Sequence, residues 1–110
     1  MIQASLRIVS PKEKREEILG ILSQLQGPTE VVAECQACRI LQDVEDENTL
    51  TYLVTWKTRE DLEEHLRSDR FRRLLPYIEI SREPPEVDFS TIDQVRGIEF
   101  LVEILSSKTQ

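Results

Sequence analysis

The apolar residues of this chain repeat every second position in some segments and every third or fourth in others. The order of these segments limits the possible folds. Residues 2–9 alternate, with Ile2, Leu6 and Ile8 on one side, which predicts a half-buried strand. Further strands are predicted over about 34–42, 50–56 and 87–91, and helices over about 10–27, 58–67, 69–78 and in the tail after 91. The resulting βαββαβ order with a terminal helix predicts a ferredoxin-like α+β fold, in which helices cover one face of a four-stranded antiparallel sheet.

Local signals suggest where the helices begin and end. Ser10-Pro11 is typical of a helix start, and Gly27-Pro28 is expected to end that first helix. Thr58 and Ser68 are candidate caps for two later helices. The tail helix is expected to begin at Thr91 or Asp93, because the apolar residues beyond them have helical spacing.

Length and charge exclude several classes of protein. The 110 residues suit one domain, expected over 1–110, and 39% apolar residues are enough to form a core. The net charge of −7 argues against a nucleic-acid partner. We expect no membrane segment, because no run approaches the ~20 apolar residues that a span requires. Since the start resembles no signal peptide, a cytoplasmic location is the expectation.

Two cysteines, Cys35 and Cys38, form a CxxC pair, which suggests redox chemistry or a zinc site. The pair lies in a predicted strand, whereas a reactive pair of this type needs a helix N-terminus. No second pair completes a zinc site, and the chain has one histidine. We therefore expect reduced strand residues that point to opposite faces, and no bound metal.

The one histidine, His65, is the candidate general base, because an imidazole exchanges protons near neutral pH. The predicted helix places it beside its apolar stripe and one turn before Asp69, whose carboxylate is a candidate to orient the ring. Trp56 ends the preceding strand and adds an aromatic plane nearby. The alternative is structural: a tryptophan at a strand end is commonly a core residue, and a histidine beside an apolar stripe is commonly half-exposed.

Residues 38–46, 52–56 and 58–71 resemble the antibiotic-biosynthesis-monooxygenase (ABM) family. The pattern is a tryptophan that ends the third strand, a helix start, a histidine nine residues after that tryptophan, then a serine and an aromatic residue. Trp56, His65, Ser68 and Phe71 match it. The resemblance is good over about 34–75 and elsewhere extends only to the order of elements.

The resemblance implies a homodimer of the dimeric α+β barrel type, formed by sheet-to-sheet packing. The contact is expected on the sheet face that includes Leu53, which lies between Thr51 and Thr55 on the side opposite Trp56. Some members oxygenate quinols or dihydroxy-aromatic compounds with O₂ and use neither metal nor flavin, whereas others have no known activity.

Haem-degrading relatives share this helix, but two positions of this chain differ from their pattern. Their second tryptophan corresponds to His65, and their haem-ligating histidine corresponds to Leu75. Leucine cannot ligate iron, so haem degradation is not expected.

The resulting hypothesis is a cofactor-independent monooxygenase that oxidises a small quinol or polycyclic hydroxy-aromatic with O₂. His65, Trp56 and Asp69 are the expected catalytic residues, and Tyr52, Phe71 and Leu75 the expected substrate-binding walls. The alternative is a non-catalytic module of the same fold that binds a small ligand or is structural. With an ordinary pKa for His65, the rate is expected to rise through about pH 6–7, and its replacement is expected to affect folding little.

Overall fold

A computed structural model describes residues 1–107, which form a four-stranded antiparallel sheet with its helices. The strands are β1 (Ile2–Val9), β2 (Cys35–Gln42), β3 (Thr49–Trp56) and β4 (Glu86–Thr91). The helices are α1 (Arg15–Glu30), α2 (Arg59–Arg67), α3 (Asp69–Arg72), α4 (Leu75–Glu79) and α5 (Ile98–Ser106). The strands lie in the order β2-β3-β1-β4, and each neighbouring pair is antiparallel. The predicted ferredoxin-like α+β fold is confirmed.

The register of the sheet separates a core face from an outer face. Leu6 of β1 lies opposite Tyr52 of β3 and Val87 of β4, and directly opposed residues share a face. The alternating residues of β3 are buried in the core with side chains of α1 and α2, as their period predicted: Leu50, Tyr52, Val54 and Trp56. Leu53 lies on the outer face, where it is half-buried.

The first helix differs from the prediction at both ends. Residues 12–14 form a 3₁₀ turn, and α1 begins only at Arg15. Gly27-Pro28 does not end the helix, which continues to Glu30 and buries Thr29. Pro28 is tolerated because it lies on the exposed side of α1, where the carbonyl that loses its donor is close to water.

The two cysteines do not point to opposite faces. Cys35 lies opposite Trp56 and Cys38 lies opposite Val54, both core-facing residues of β3. A β-bulge between Cys35 and Ala37 inserts an extra residue, and this shifts the alternation by one position. Both thiols are free, as expected, with Cys38 buried and Cys35 half-buried.

The tail helix also begins later than predicted. Thr91 is still part of β4, opposite Ile2, and the Ile92 amide continues the pairing by donating to the Met1 carbonyl. Helix α5 therefore begins at Ile98, after the linker 92–97. The described residues extend over 55 × 34 × 22 Å, and their radius of gyration of 16.5 Å exceeds the ~13 Å typical of 100 residues.

None of the helices within residues 1–107 is long and apolar enough to cross a membrane.

Candidate active site

His65 is buried in an aromatic cluster on the core face of the sheet. Its helix, α2, begins where the Thr58 hydroxyl accepts a hydrogen bond from the Asp61 amide, so Thr58 is the cap that the sequence predicted. The imidazole centroid lies 5.1 Å from the Trp56 ring, 5.6 Å from the Phe71 ring and 6.1 Å from the Tyr52 ring. The residue is 7% exposed, so it is a core residue rather than the half-exposed one that its position beside the stripe indicated.

The imidazole is held by the hydroxyl group of Tyr52. Tyr52 Oη lies 3.0 Å from His65 Nε2, and the Cys38 thiol donates to the same hydroxyl at 3.4 Å. Because the hydroxyl accepts from the thiol, its own proton can be donated to Nε2. A chain of three buried groups from β2, β3 and α2 therefore ends at the imidazole. The sequence predicted Tyr52 only as an apolar wall. The contact between Cys38 and Tyr52 could not be predicted, because the bulge that turns Cys38 toward the core has no local signal.

Burial keeps each of these groups in its neutral form. Burial and, secondarily, the nearby Arg70 guanidinium lower the pKa of His65 to about 4. Burial raises the pKa of Tyr52 and also that of Cys38. At neutral pH the imidazole is consequently unprotonated and able to accept a proton, while the tyrosine hydroxyl keeps its own.

An apolar cavity of about 250 Å³ lies between the sheet and helices α2–α4. Tyr52, Phe71 and Leu75 line this cavity, with Val87 and Phe89 of β4 on its open side. The three predicted substrate-binding residues therefore surround one space. His65 lies behind two of its walls, because its ring contacts Tyr52 and Phe71.

A polar pocket of about 370 Å³ lies on the other side of His65. His65 and Trp56 line it together with Glu34, Glu64 and Arg70. Trp56 is 4% exposed, and its Nε1 group is buried without a hydrogen-bond partner within the described part of the chain. A buried indole N–H normally has a hydrogen-bond partner, so this donor is an exception among the buried polar groups near His65.

Asp69 is not brought to His65. The extended backbone of Ser68 ends α2, and its hydroxyl caps α3 by accepting from the Phe71 amide. Asp69 therefore begins a new helix at the surface instead of lying one turn after His65. Within residues 1–107, no hydrogen bond joins the two side chains, and the imidazole is bound to Tyr52 instead.

The described residues contain no group of three histidine, cysteine or acidic side chains positioned to hold a metal ion.

Comparison with known proteins identifies the family. The model of the family "antibiotic biosynthesis monooxygenase" matches residues 1–76, so the chain belongs to the ABM family. No curated protein matches the chain.

Solved structures show the same fold. A conserved protein from Methanosarcina mazei Go1 is 26% identical with a TM-score of 0.73, over 81% of this chain and 89% of that one. A structure described as an antibiotic biosynthesis monooxygenase is 22% identical with a TM-score of 0.74, over 87% and 100% of the two chains. PA3566 from Pseudomonas aeruginosa is 19% identical with a TM-score of 0.72, over 84% and 94%.

Proposed function

We propose that this protein is a cofactor-independent monooxygenase that oxidises a small quinol or polycyclic hydroxy-aromatic with O₂. The observation that carries the proposal is the hydrogen bond between Tyr52 and the neutral, buried imidazole of His65 at the wall of the apolar cavity. Membership of the ABM family and the aromatic lining of the cavity support the same chemistry.

The first step is removal of a proton from the substrate hydroxyl. The aromatic ring occupies the apolar cavity between Phe71 and Leu75, with its hydroxyl at Tyr52. Tyr52 accepts the substrate proton as it passes its own proton to His65 Nε2. Since burial raises the pKa of Tyr52, a free tyrosinate is unfavourable, and the two transfers are concerted.

The second step joins the substrate anion and O₂. The electron-rich anion transfers one electron to O₂, and the resulting radical pair recombines to form a C–O bond. The peroxide then breaks its O–O bond: one oxygen atom stays as a carbonyl in the product, and the other leaves as water with two substrate hydrogens. The substrate supplies all the electrons, so the protein must supply only a base, a dry site and fixed positions.

The polar pocket has a different role, because it lies on the far side of His65 from the cavity. A proton on the imidazole can leave through this pocket, where Glu64 and Glu34 are acceptors close to solvent. Trp56 packs against the imidazole and fixes its plane. Asp69 has no part in this route.

Oxygen uptake tests the proposal. Reduced naphthoquinones and anthrones are supplied to the wild-type protein and to the Tyr52→Phe variant, which keeps the ring but lacks the hydroxyl. We expect uptake by the wild type with at least one compound, and a slower rate in the variant. Silence of the wild type across the panel would reject turnover and favour the non-catalytic binding module.

We further propose that the protein is a homodimer formed through the outer face of the sheet. Leu53 of β3 lies on this face, with Ser5 of β1 and Arg39 of β2 directly opposite it and Thr51 two residues before it. A half-buried leucine on such a face suits contact with a second sheet. Cytoplasmic location is part of the same proposal, and the free thiols of Cys35 and Cys38 are consistent with it.

A further inference from the structure

Helix α5 exposes more apolar surface than any other helix within residues 1–107. Its large apolar residues are 40–74% exposed. They are Ile98, Phe100, Leu101, Val102, Ile104 and Leu105. Ile98, Leu101, Val102 and Leu105 form one stripe at helical spacing, and such a stripe normally packs against another surface.

A groove on the same chain has the complementary character. It has a volume of about 610 Å³, and Ile2, Leu62, Leu66 and Phe89 contribute its apolar part. Leu66 and Phe89 also line the apolar cavity, so the groove continues into the open side of that cavity. A helix in the groove would therefore also close the cavity.

Charged side chains lie around the apolar parts of both surfaces. Lys57, Arg59 and Glu63 line the groove, where Glu63 pairs with Arg59, and the acidic residues of α5, Glu99 and Glu103, lie on the side away from its stripe. An amphipathic helix that lies in an apolar groove with charges at the rim is a common mode of recognition.

We propose that α5 of one copy lies in the groove of a second copy, so that two chains exchange helices and each closes the other's apolar cavity. The inference rests on the homodimer proposed above, and it goes beyond that proposal because each cavity is incomplete without the partner. The linker 92–97 can span up to about 20 Å, twice the ~10 Å spacing of two packed sheets. It is therefore long enough to carry α5 around the edge of the partner's sheet.

The area involved suits a stable dimer. The stripe and its neighbours expose on the order of 500 Å² per chain, so burial of two helices in two grooves removes on the order of 2,000 Å² from water, a typical area for a stable interface. Closure also excludes water from the cavity, which the proposed oxidation requires.

A photo-cross-linking experiment tests this exchange without any need for activity. A photoreactive amino acid replaces Leu101 in a chain with one affinity tag, and this chain is co-expressed with an unmodified chain that carries a second tag. We expect a covalent product that holds both tags, linked to Leu62, Leu66 or Phe89 of the unmodified chain. As a matched control, the same probe at Val44, which is fully exposed in the loop 43–48, should give no such product.

Three results would overturn the proposal. The first is a link to these residues within one chain, which would mean that α5 folds back on its own groove. The second is a link to a different surface, and the third is no link at all. Sedimentation of Val102→Asp against Val44→Asp provides a second measurement, and only the former should be monomeric. Since neither experiment uses a substrate, a failed oxygen-uptake assay leaves both results interpretable.

Discussion

Tyr52 Oη and His65 Nε2 lie 3.0 Å apart in the buried core, in a contact that joins the third strand to the second helix. Because the hydroxyl donates to Nε2, this contact favours the neutral tautomer of the imidazole that carries its hydrogen on Nδ1. The Cys38 thiol on one side and the imidazole on the other fix the direction of the tyrosine hydroxyl. The proposed base is thus connected to the cavity through a second side chain instead of opening directly into it.

The pH dependence of the rate follows from the pKa of His65. Burial lowers this pKa to about 4, so the proton-accepting form predominates at every pH well above 4. The rate should therefore fall only as the pH drops through about 4, and it should be nearly constant between pH 6 and 7. This replaces the rise through pH 6–7 that an ordinary histidine pKa predicted. Stopped-flow oxygen uptake across pH 3.5–8 measures this fall in rate. A midpoint of the fall near pH 6.5 would show that the base is an exposed group.

Removal of the tyrosine hydroxyl should slow the reaction without loss of the fold. Tyr52→Phe keeps the ring in the core but leaves Nε2 of His65 and the Cys38 thiol without their partner. We expect a rate loss of about 10-fold or more, and a loss of unfolding free energy of roughly 1–2 kcal/mol. The measurements are initial rates and urea unfolding of the same preparation. Phe71→Leu, which changes a cavity wall but no hydrogen bond, is the control, and it should alter KM more than kcat.

The outer face of the sheet should tolerate no charge at its centre. Leu53→Asp places a carboxylate where a second sheet is proposed to pack, so the variant should be monomeric or aggregated in sedimentation velocity. Leu41→Asp is a useful comparison because Leu41 lies on the peripheral strand β2 and is already 46% exposed. A Leu53→Asp variant that remains a dimer would reject this packing mode.

The purified protein should carry no flavin, haem or stoichiometric metal. The proposed steps draw every electron from the substrate, so none of these groups is required. Absorbance between 350 and 700 nm and elemental analysis of the purified protein provide the measurement. A flavin or haem spectrum that survives gel filtration would contradict the proposed chemistry.

The sequence predicted the strands well because each depends on a local period of two, and the caps at Thr58 and Ser68 because each depends on one side chain. It did not predict the continuation of α1 past Pro28, because that depends on burial of Thr29 against the rest of the fold. The bulge at Cys35 and Ala37 has no composition signal either. Within the candidate site, Tyr52, Phe71 and Leu75 line one cavity, and their role as substrate walls stays a prediction. Asp69 does not reach His65, because the extended backbone of Ser68 moves Asp69 onto another helix.

Replacement of His65 by alanine tests its proposed role as the base. His65 is buried and hydrogen-bonded, so His65→Ala should lower the thermal midpoint, contrary to the small effect expected from the sequence.

The decisive measurement is the initial rate of oxygen uptake per folded molecule of His65→Ala, with the folded fraction taken from thermal melts of the same sample. We expect a loss of about 10²-fold or more, the usual scale for loss of a general base, and we expect that the fall in rate near pH 4 disappears. A variant that melts earlier but keeps the full rate per folded molecule would show that His65 is a structural residue of the core and not the base.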